Sequence, residues 1–258
     1  MAKTITTKDL AEHTYTQENS LLRAHYACSV KEKRLLQIGM SKLNPTESYL
    51  TLDKDAPPTI TVTVDDWIKA YGGGVARQAY RDLTQAADML YERSVHLHPK
   101  DAGPSGKEKF RWFERSRFDA ALGTVDLTFT YSAARRLVGM ENNFTSTDLL
   151  SVEGLKRLSS IRLYELAKSI LDVSKSRKKL TGHQTMAVDD FRYMVDCVDK
   201  YPRFPELKRC VIDPAMREVS LKTDLTITAK YEKAMRNVVR IQWTVKDNDQ
   251  PDMLSGVE

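Results

Sequence analysis

An order of elements that occurs twice is what most restricts the fold of this chain. The tetrapeptide Val64-Asp65-Asp66-Trp67 is matched far downstream by Val188-Asp189-Asp190-Phe191. Four matched positions carry little weight alone. Their weight comes from each copy holding the same place in one series: a helix, a short helix, a longer helix, then a β-hairpin. At 258 residues the chain is long for one compact domain and comfortable for two, so one series per domain is expected.

In the first series, Ser29-Val30-Lys31-Glu32 reads as a capping box in which the hydroxyl and the carboxylate each satisfy a free backbone N–H. Leu35, Leu36, Gly39, Met40 and Leu43 then mark one helix face, and Asn44-Pro45 ends it. Threonines alternating with Ile60 and Val62 over residues 59–63 predict a short strand. Thr63 caps a short helix carrying Trp67, Ile68 and Tyr71, with Asp65 and Asp66 at its positive end. Gly72-Gly73-Gly74 breaks the chain before a longer helix whose apolar face is Val75, Ala79, Leu83, Ala86 and Leu90. Its other surface carries Arg77, Gln78, Arg81 and Gln85, long polar types that reach phosphates and base edges but serve equally as an ordinary solvated face. Two β-rich runs, residues 109–118 and 124–131, predict a hairpin turning at 119–123.

The second series opens with a helix over residues 156–171, followed by a basic run at 175–179. After the second tetrapeptide, a longer helix starts near Arg203, with Pro205 in its first turn, and runs towards Leu221. Phe204, Leu207, Val211, Ala215 and Val219 lie on one side; Glu206, Arg209, Asp213 and Arg217 form the opposite stripe, with Met216 and Ser220 beside it. Pro214 removes a backbone donor and should bend or loosen this helix. Strands at 225–231 and 238–245 surround a basic tip at 232–237. A helix-turn-helix followed by a hairpin is a winged helix, so the expected fold class is α+β with two tandem winged-helix domains. They are placed at residues 1–145 and 150–246, joined by the polar stretch 142–152 and followed by a tail at 247–258.

Forty Lys and Arg against 35 Asp and Glu give a net charge of +5, which permits nucleic-acid binding without requiring it. No apolar run has spanning length and residues 1–8 lack a secretory signal's apolar stretch, so a soluble cytoplasmic protein without membrane contact is expected. Cys28, Cys197 and Cys210 form no CxxC pair, which argues against a disulfide framework or a zinc site, and no cofactor is expected.

The stretches 19–22 (Asn-Ser-Leu-Leu), 80–87 (Tyr-Arg-Asp-Leu-Thr-Gln-Ala-Ala), 160–166 (Ser-Ile-Arg-Leu-Tyr-Glu-Leu) and 204–214 (Phe-Pro-Glu-Leu-Lys-Arg-Cys-Val-Ile-Asp-Pro) resemble the replication initiators of iteron-bearing plasmids. The resemblance implies a non-enzymatic protein that binds directly repeated double-stranded origin DNA as a monomer, opens the adjacent duplex, and represses its own gene as a homodimer. It implies the host replication initiator and replicative helicase as partners. It also implies that the second domain makes most base contacts, while the first contributes backbone contacts and dimerisation. On matching positions, Lys208, Arg209, Asp213 and Arg217 become recognition-helix residues, with Asp213 alternatively orienting Arg209 or Arg217. Arg203 at the helix start, Lys233, Arg236 and Arg240 on the last hairpin, and Arg77, Gln78 and Arg81 in the first domain complete the expected DNA contacts. The run around Phe110, Trp112 and Phe113 is a candidate self-association surface, since aromatics on an open hairpin need a partner or a core.

Two rivals are coherent. His96-Leu97-His98 puts two imidazoles on one strand face, where they can hold a divalent metal, and Tyr164 is then a candidate nucleophile for a rolling-circle nuclease. A DNA-binding repressor without initiator activity shares every structural expectation above.

Overall fold

The computed structural model describes residues 13–45, 56–72, 75–177 and 179–248. Residues 1–8 of the signal reading, Gly73 and Gly74, Lys178 of the basic run and residues 249–258 of the tail lie outside the described residues.

Strand β1 (Thr14–Glu18) passes directly into the short helix α1 (Asn19–Arg23). Helix α2 (Val30–Ser41) starts with the expected capping box, Glu32 N–H donating to Ser29 Oγ and Ser29 N–H to Glu32 Oε1, both at 3.2 Å. β2 (Thr59–Thr63) feeds α3 (Val64–Tyr71) through a second box, in which Thr63 N–H donates to Asp66 Oδ2 at 2.8 Å. α4 (Ala76–Glu92) buries Ala79, Leu83, Ala86 and Leu90 as its period requires. Val75 departs from that face: it is the extended N-cap residue, so its side chain does not follow the helical rotation and is 76% exposed.

β3 (Ser94–His96) pairs with β4 (Lys109–Arg111), whereas β5 (Phe113–Asp119) and β6 (Thr124–Phe129) form the first wing. The run expected over 109–118 is therefore cut at Trp112, where the chain changes sheets. Phe110, Trp112 and Phe113 are buried, which corrects the reading of these aromatics as a self-association surface: they found a core instead of a partner. Tyr131 leaves the hairpin to open α5 (Tyr131–Ala134), capped by the Thr130 hydroxyl. β7 (Phe144–Asp148) lies in the stretch read as a polar junction, yet it pairs antiparallel with β1, Tyr15 opposite Thr147, and buries Thr145 and Thr147.

α6 (Leu158–Ser176) runs one turn beyond its expected end, placing Lys175 in the last turn, where its charge complements the helix dipole and meets Asp247 at 2.9 Å. β8 (Thr181–Ala187), absent from the sequence reading, precedes α7 (Val188–Met194). The long helix α8 comprises Phe204–Leu207, a π-helical turn Lys208–Ile212, and Asp213–Lys222. Pro214 supplies no N–H for the carbonyl of Cys210 and its ring crowds that turn; the helix absorbs an extra residue there, with Asp213 N–H donating to Lys208 O. β9 (Leu225–Ala234) and β10 (Asn237–Asp247) form the second wing.

The two three-stranded sheets have orders β2-β6-β5 and β8-β10-β9. In both, the strand before the short helix pairs with the second strand of the hairpin. The α+β tandem winged-helix fold expected from the sequence is thus the one observed, with the same topology in each half. α6 packs against α1 and β7 on one side and against α8, β8 and β10 on the other, so one hydrophobic core runs through both halves.

Candidate nucleic-acid interface

The outward face of α8 is set by what its inward face buries. Leu207, Val211, Ile212, Ala215 and Val219 are enclosed, and the Phe204 ring meets Tyr231 edge-on at 5.1 Å. Arg209 and Arg217 are exposed on the other side, as is Arg203 at the N-cap. Eight residues of regular helix overshoot two turns by roughly 80°. The residue absorbed by the π turn removes roughly 100° of that rotation and leaves the two arginines close to one line along the axis. Among the described residues neither has an ion-pair partner. Lys208 Nζ instead holds both oxygens of Asp213, at 2.8 and 2.6 Å, across the π turn. Asp213 therefore orients Lys208, where the sequence pointed to Arg209 or Arg217. Lys208 also stands over the Tyr231 ring, 5.7 Å from its centre.

The second wing projects beside this helix. Lys233 and Arg236 are exposed at its tip, flanking Met235, a fully exposed residue with φ of 56°. Arg240 lies opposite Glu232 in the hairpin, with 4.0 Å between their charged atoms. Arg240 is exposed and Glu232 partly so, which makes this pair weak and leaves Arg240 accessible.

On α4, Arg77, Gln78, Arg81 and Gln85 all face outward. Gln78 Nε2 donates to Asp82 Oδ1 at 2.8 Å, an oxygen that Lys31 also engages at 2.8 Å. Arg115 and Arg117 on β5 add two exposed cations to the first wing that sequence reasoning passed over. Their spacing at i and i+2 on a β-prone run was the available signal.

Between the halves lies a buried polar network. Lys33 Nζ meets Glu165 Oε1 at 2.8 Å, Tyr15 Oη donates to the same oxygen at 2.8 Å, and Gln37 Nε2 reaches it at 3.3 Å. Arg162 donates to the carbonyls of Leu22 and Ala24 at 2.9 and 2.7 Å, with its guanidinium 4.2 Å from the centre of the Tyr26 ring. Burial alone would raise the Glu165 carboxyl; the Lys33 and Arg162 charges, with hydrogen bonds from Lys33 and Tyr15, together hold it below the usual carboxylate range.

The nuclease constellation does not assemble. β3 ends at His96, and His98, beyond it, is buried with Nε2 3.0 Å from Asp190 Oδ1. Among the described residues no group of three His, Cys, Asp or Glu side chains is placed to hold a metal. Tyr164 is wholly buried, donates to Asp224 Oδ1 at 2.7 Å, and burial pushes its phenol well above the ordinary value, the opposite of an activated nucleophile. No helix among the described residues is long and apolar enough to cross a membrane.

The crystal structure of the Pi initiator protein in complex with iteron DNA shares the fold, with a TM-score of 0.72 at 19% identity over 95% of this chain and 100% of that one. An uncharacterized 27.6 kDa protein of Escherichia coli is 28% identical over 220 residues, 83% of this chain and 87% of its own length. A replication initiation protein of Escherichia coli is 21% identical over 250 residues, 96% of this chain and 74% of its own length. Residues 14–168 match the family described as Initiator Replication protein, WH1, and residues 187–245 that described as Initiator Rep protein, WH2. With a WH1 and a WH2 domain in tandem, this chain belongs to the initiator replication protein family.

Proposed function

We propose that this chain initiates plasmid replication by binding repeated duplex origin sequences, promotes opening of the adjacent DNA, and represses its own gene as a dimer. The observation that carries the reading is the pair Arg209 and Arg217, exposed, unpaired among the described residues and aligned on α8 beside a basic wing. A guanidinium donates two hydrogen bonds to guanine O6 and N7 in the major groove, a pattern no other base pair offers. In this reading Arg209 and Arg217 read bases, with Arg203 at the start of the same helix. Lys233, Arg236 and Arg240 hold phosphates, and the Lys208–Asp213 pair shapes the helix surface between them. Arg77, Gln78 and Arg81, with Arg115 and Arg117, give backbone contacts from the first half. The division of labour falls between residues 145 and 150, with self-association assigned to the first part and principal recognition to residues 150–246. Host replication initiator and replicative helicase are the partners this role requires.

Footprinting the protein on the DNA flanking its own gene tests the reading. Protection of tandem repeats is expected. Protection of a lone palindrome would make the chain a repressor without initiator activity, and no protection at all would overturn both.

A further inference from the structure

The two copies of the Val-Asp-Asp-aromatic tetrapeptide use their second aspartate differently. In the first, Asp66 accepts from Thr63 N–H at 2.8 Å and the Thr63 hydroxyl accepts from Asp66 N–H at 3.0 Å, completing the capping box. In the second, the residue at the cap is Ala187, which has no hydroxyl to reciprocate, and α7 has no side-chain cap. Asp190 is turned instead to the first half of the protein: Oδ1 lies 3.0 Å from His98 Nε2 and Oδ2 3.3 Å from Lys100 Nζ. A second pair joins the same seam, because Asp196, just past α7 with φ of 55°, places Oδ1 2.9 Å from His25 Nε2. Between them Tyr193 Oη donates to the carbonyls of His96 and Leu97 at 3.3 and 3.2 Å, and its ring packs on both His25 and His98.

This seam is mechanically connected to α8. Arg192, nearly buried on α7, donates to Lys200 O at 2.7 Å and Pro202 O at 3.3 Å, the turn that leads into the Arg203 cap. α6 holds the halves together through Glu165, Arg162 and the core they share, and Arg34 adds contacts to the carbonyls of Glu153 and Leu155. The α7 seam adds polar contacts at a separate place, beside the turn that leads into α8.

We propose that the His98–Asp190 and His25–Asp196 pairs are positioning contacts that set the separation of α4 and α8 along one duplex, and so fix the spacing between the two DNA segments the protein accepts. The inference rests on the functional reading above, in which both halves engage the same site. One inserted base pair shifts one segment by about 3.4 Å and rotates it by roughly 35° about the duplex axis, which rigidly joined halves cannot follow.

The test measures affinity for the footprinted site and for the same site with one base pair inserted between the two protected segments, using the full chain. The unmodified protein should lose about tenfold or more on insertion. Asp190→Ala combined with Asp196→Ala should reduce that penalty at least threefold while leaving non-specific binding unchanged. Ala187→Thr provides a variant expected to fold at least as well, since it restores the capping hydroxyl and draws Asp190 back to its own helix. It too should shrink the insertion penalty, with its thermal midpoint unchanged or raised. An insertion penalty undiminished in variants that still bind the cognate site would overturn the positioning role alone. Failure of the unmodified chain to bind any site specifically would overturn the functional reading, and this inference with it.

Discussion

Lys33 Nζ on α2 and Glu165 Oε1 on α6 meet at 2.8 Å with both side chains wholly enclosed. Withdrawing two charges from water costs several kcal/mol per ion, an expense that close geometry and the Tyr15 and Gln37 hydrogen bonds offset. Removing one member strands the other. Glu165→Gln is therefore expected to destabilise the protein by about 3–5 kcal/mol, whereas replacing Lys33 by Met and Glu165 by Leu together should cost clearly less. Urea unfolding of the three proteins measures this, and a double variant as unstable as Glu165→Gln would contradict it.

The same carboxylate makes stability pH-dependent. Its folded pKa lies below the unfolded value, so its contribution is complete above the unfolded value of about 4.3 and is lost as pH falls through the folded one. Glu218 behaves alike: burial raises its carboxyl, but hydrogen bonds from Ser160 Oγ at 2.6 Å and Lys156 N–H at 3.0 Å, with Lys222 nearby, bring it below the usual range. The urea midpoint should fall between pH 5 and pH 3. The fall should be shallower in a Glu218→Gln variant, which lacks one of the two titrating groups. An equal slope in both proteins would remove Glu218 from the acid response.

Pro214 has a consequence for recognition. Pro214→Ala restores the backbone donor and relieves the crowding behind the π turn, so α8 should be at least as stable, yet regular winding would rotate Arg209 by roughly 100° relative to Arg217. Thermal midpoint and the ratio of specific to random-DNA affinity together read this out. Stability should hold while discrimination falls; full discrimination in this variant would mean that the alignment of the two arginines is not needed.

Much of the fold was legible because it is written locally. Ser29 with Glu32, Thr63 with Asp66, and the alternation of Ile60 and Val62 each encode their element within a few residues. What escaped depends on partners distant in sequence. Phe144–Asp148 looks like a polar linker until β1 arrives to pair with it, and the residues of β8 alternate too weakly to show a strand without β10. Trp112 reads as one more β-prone residue, and only tertiary packing makes it the point where the chain changes sheets. On α8, periodicity separated the buried side from the exposed one, but the alignment of Arg209 with Arg217 and the Lys208–Asp213 pair both depend on the π turn, which periodicity does not show. Arg162 and Glu165 lie inside the stretch that carried the family resemblance, and nothing in their spacing says that they tie one half of the protein to the other.

The central claim is that α8 reads bases while the second wing holds phosphates, and binding to a tandem-repeat site and to random DNA across a salt series tests it most directly. Arg209→Ala or Arg217→Ala should weaken specific binding by about 1–3 kcal/mol each with little change on random DNA. Lys233→Ala or Arg236→Ala should weaken both and reduce the salt slope by about 0.9 per lost phosphate contact. Equal losses on cognate and random DNA for the two helix variants would contradict base readout by α8.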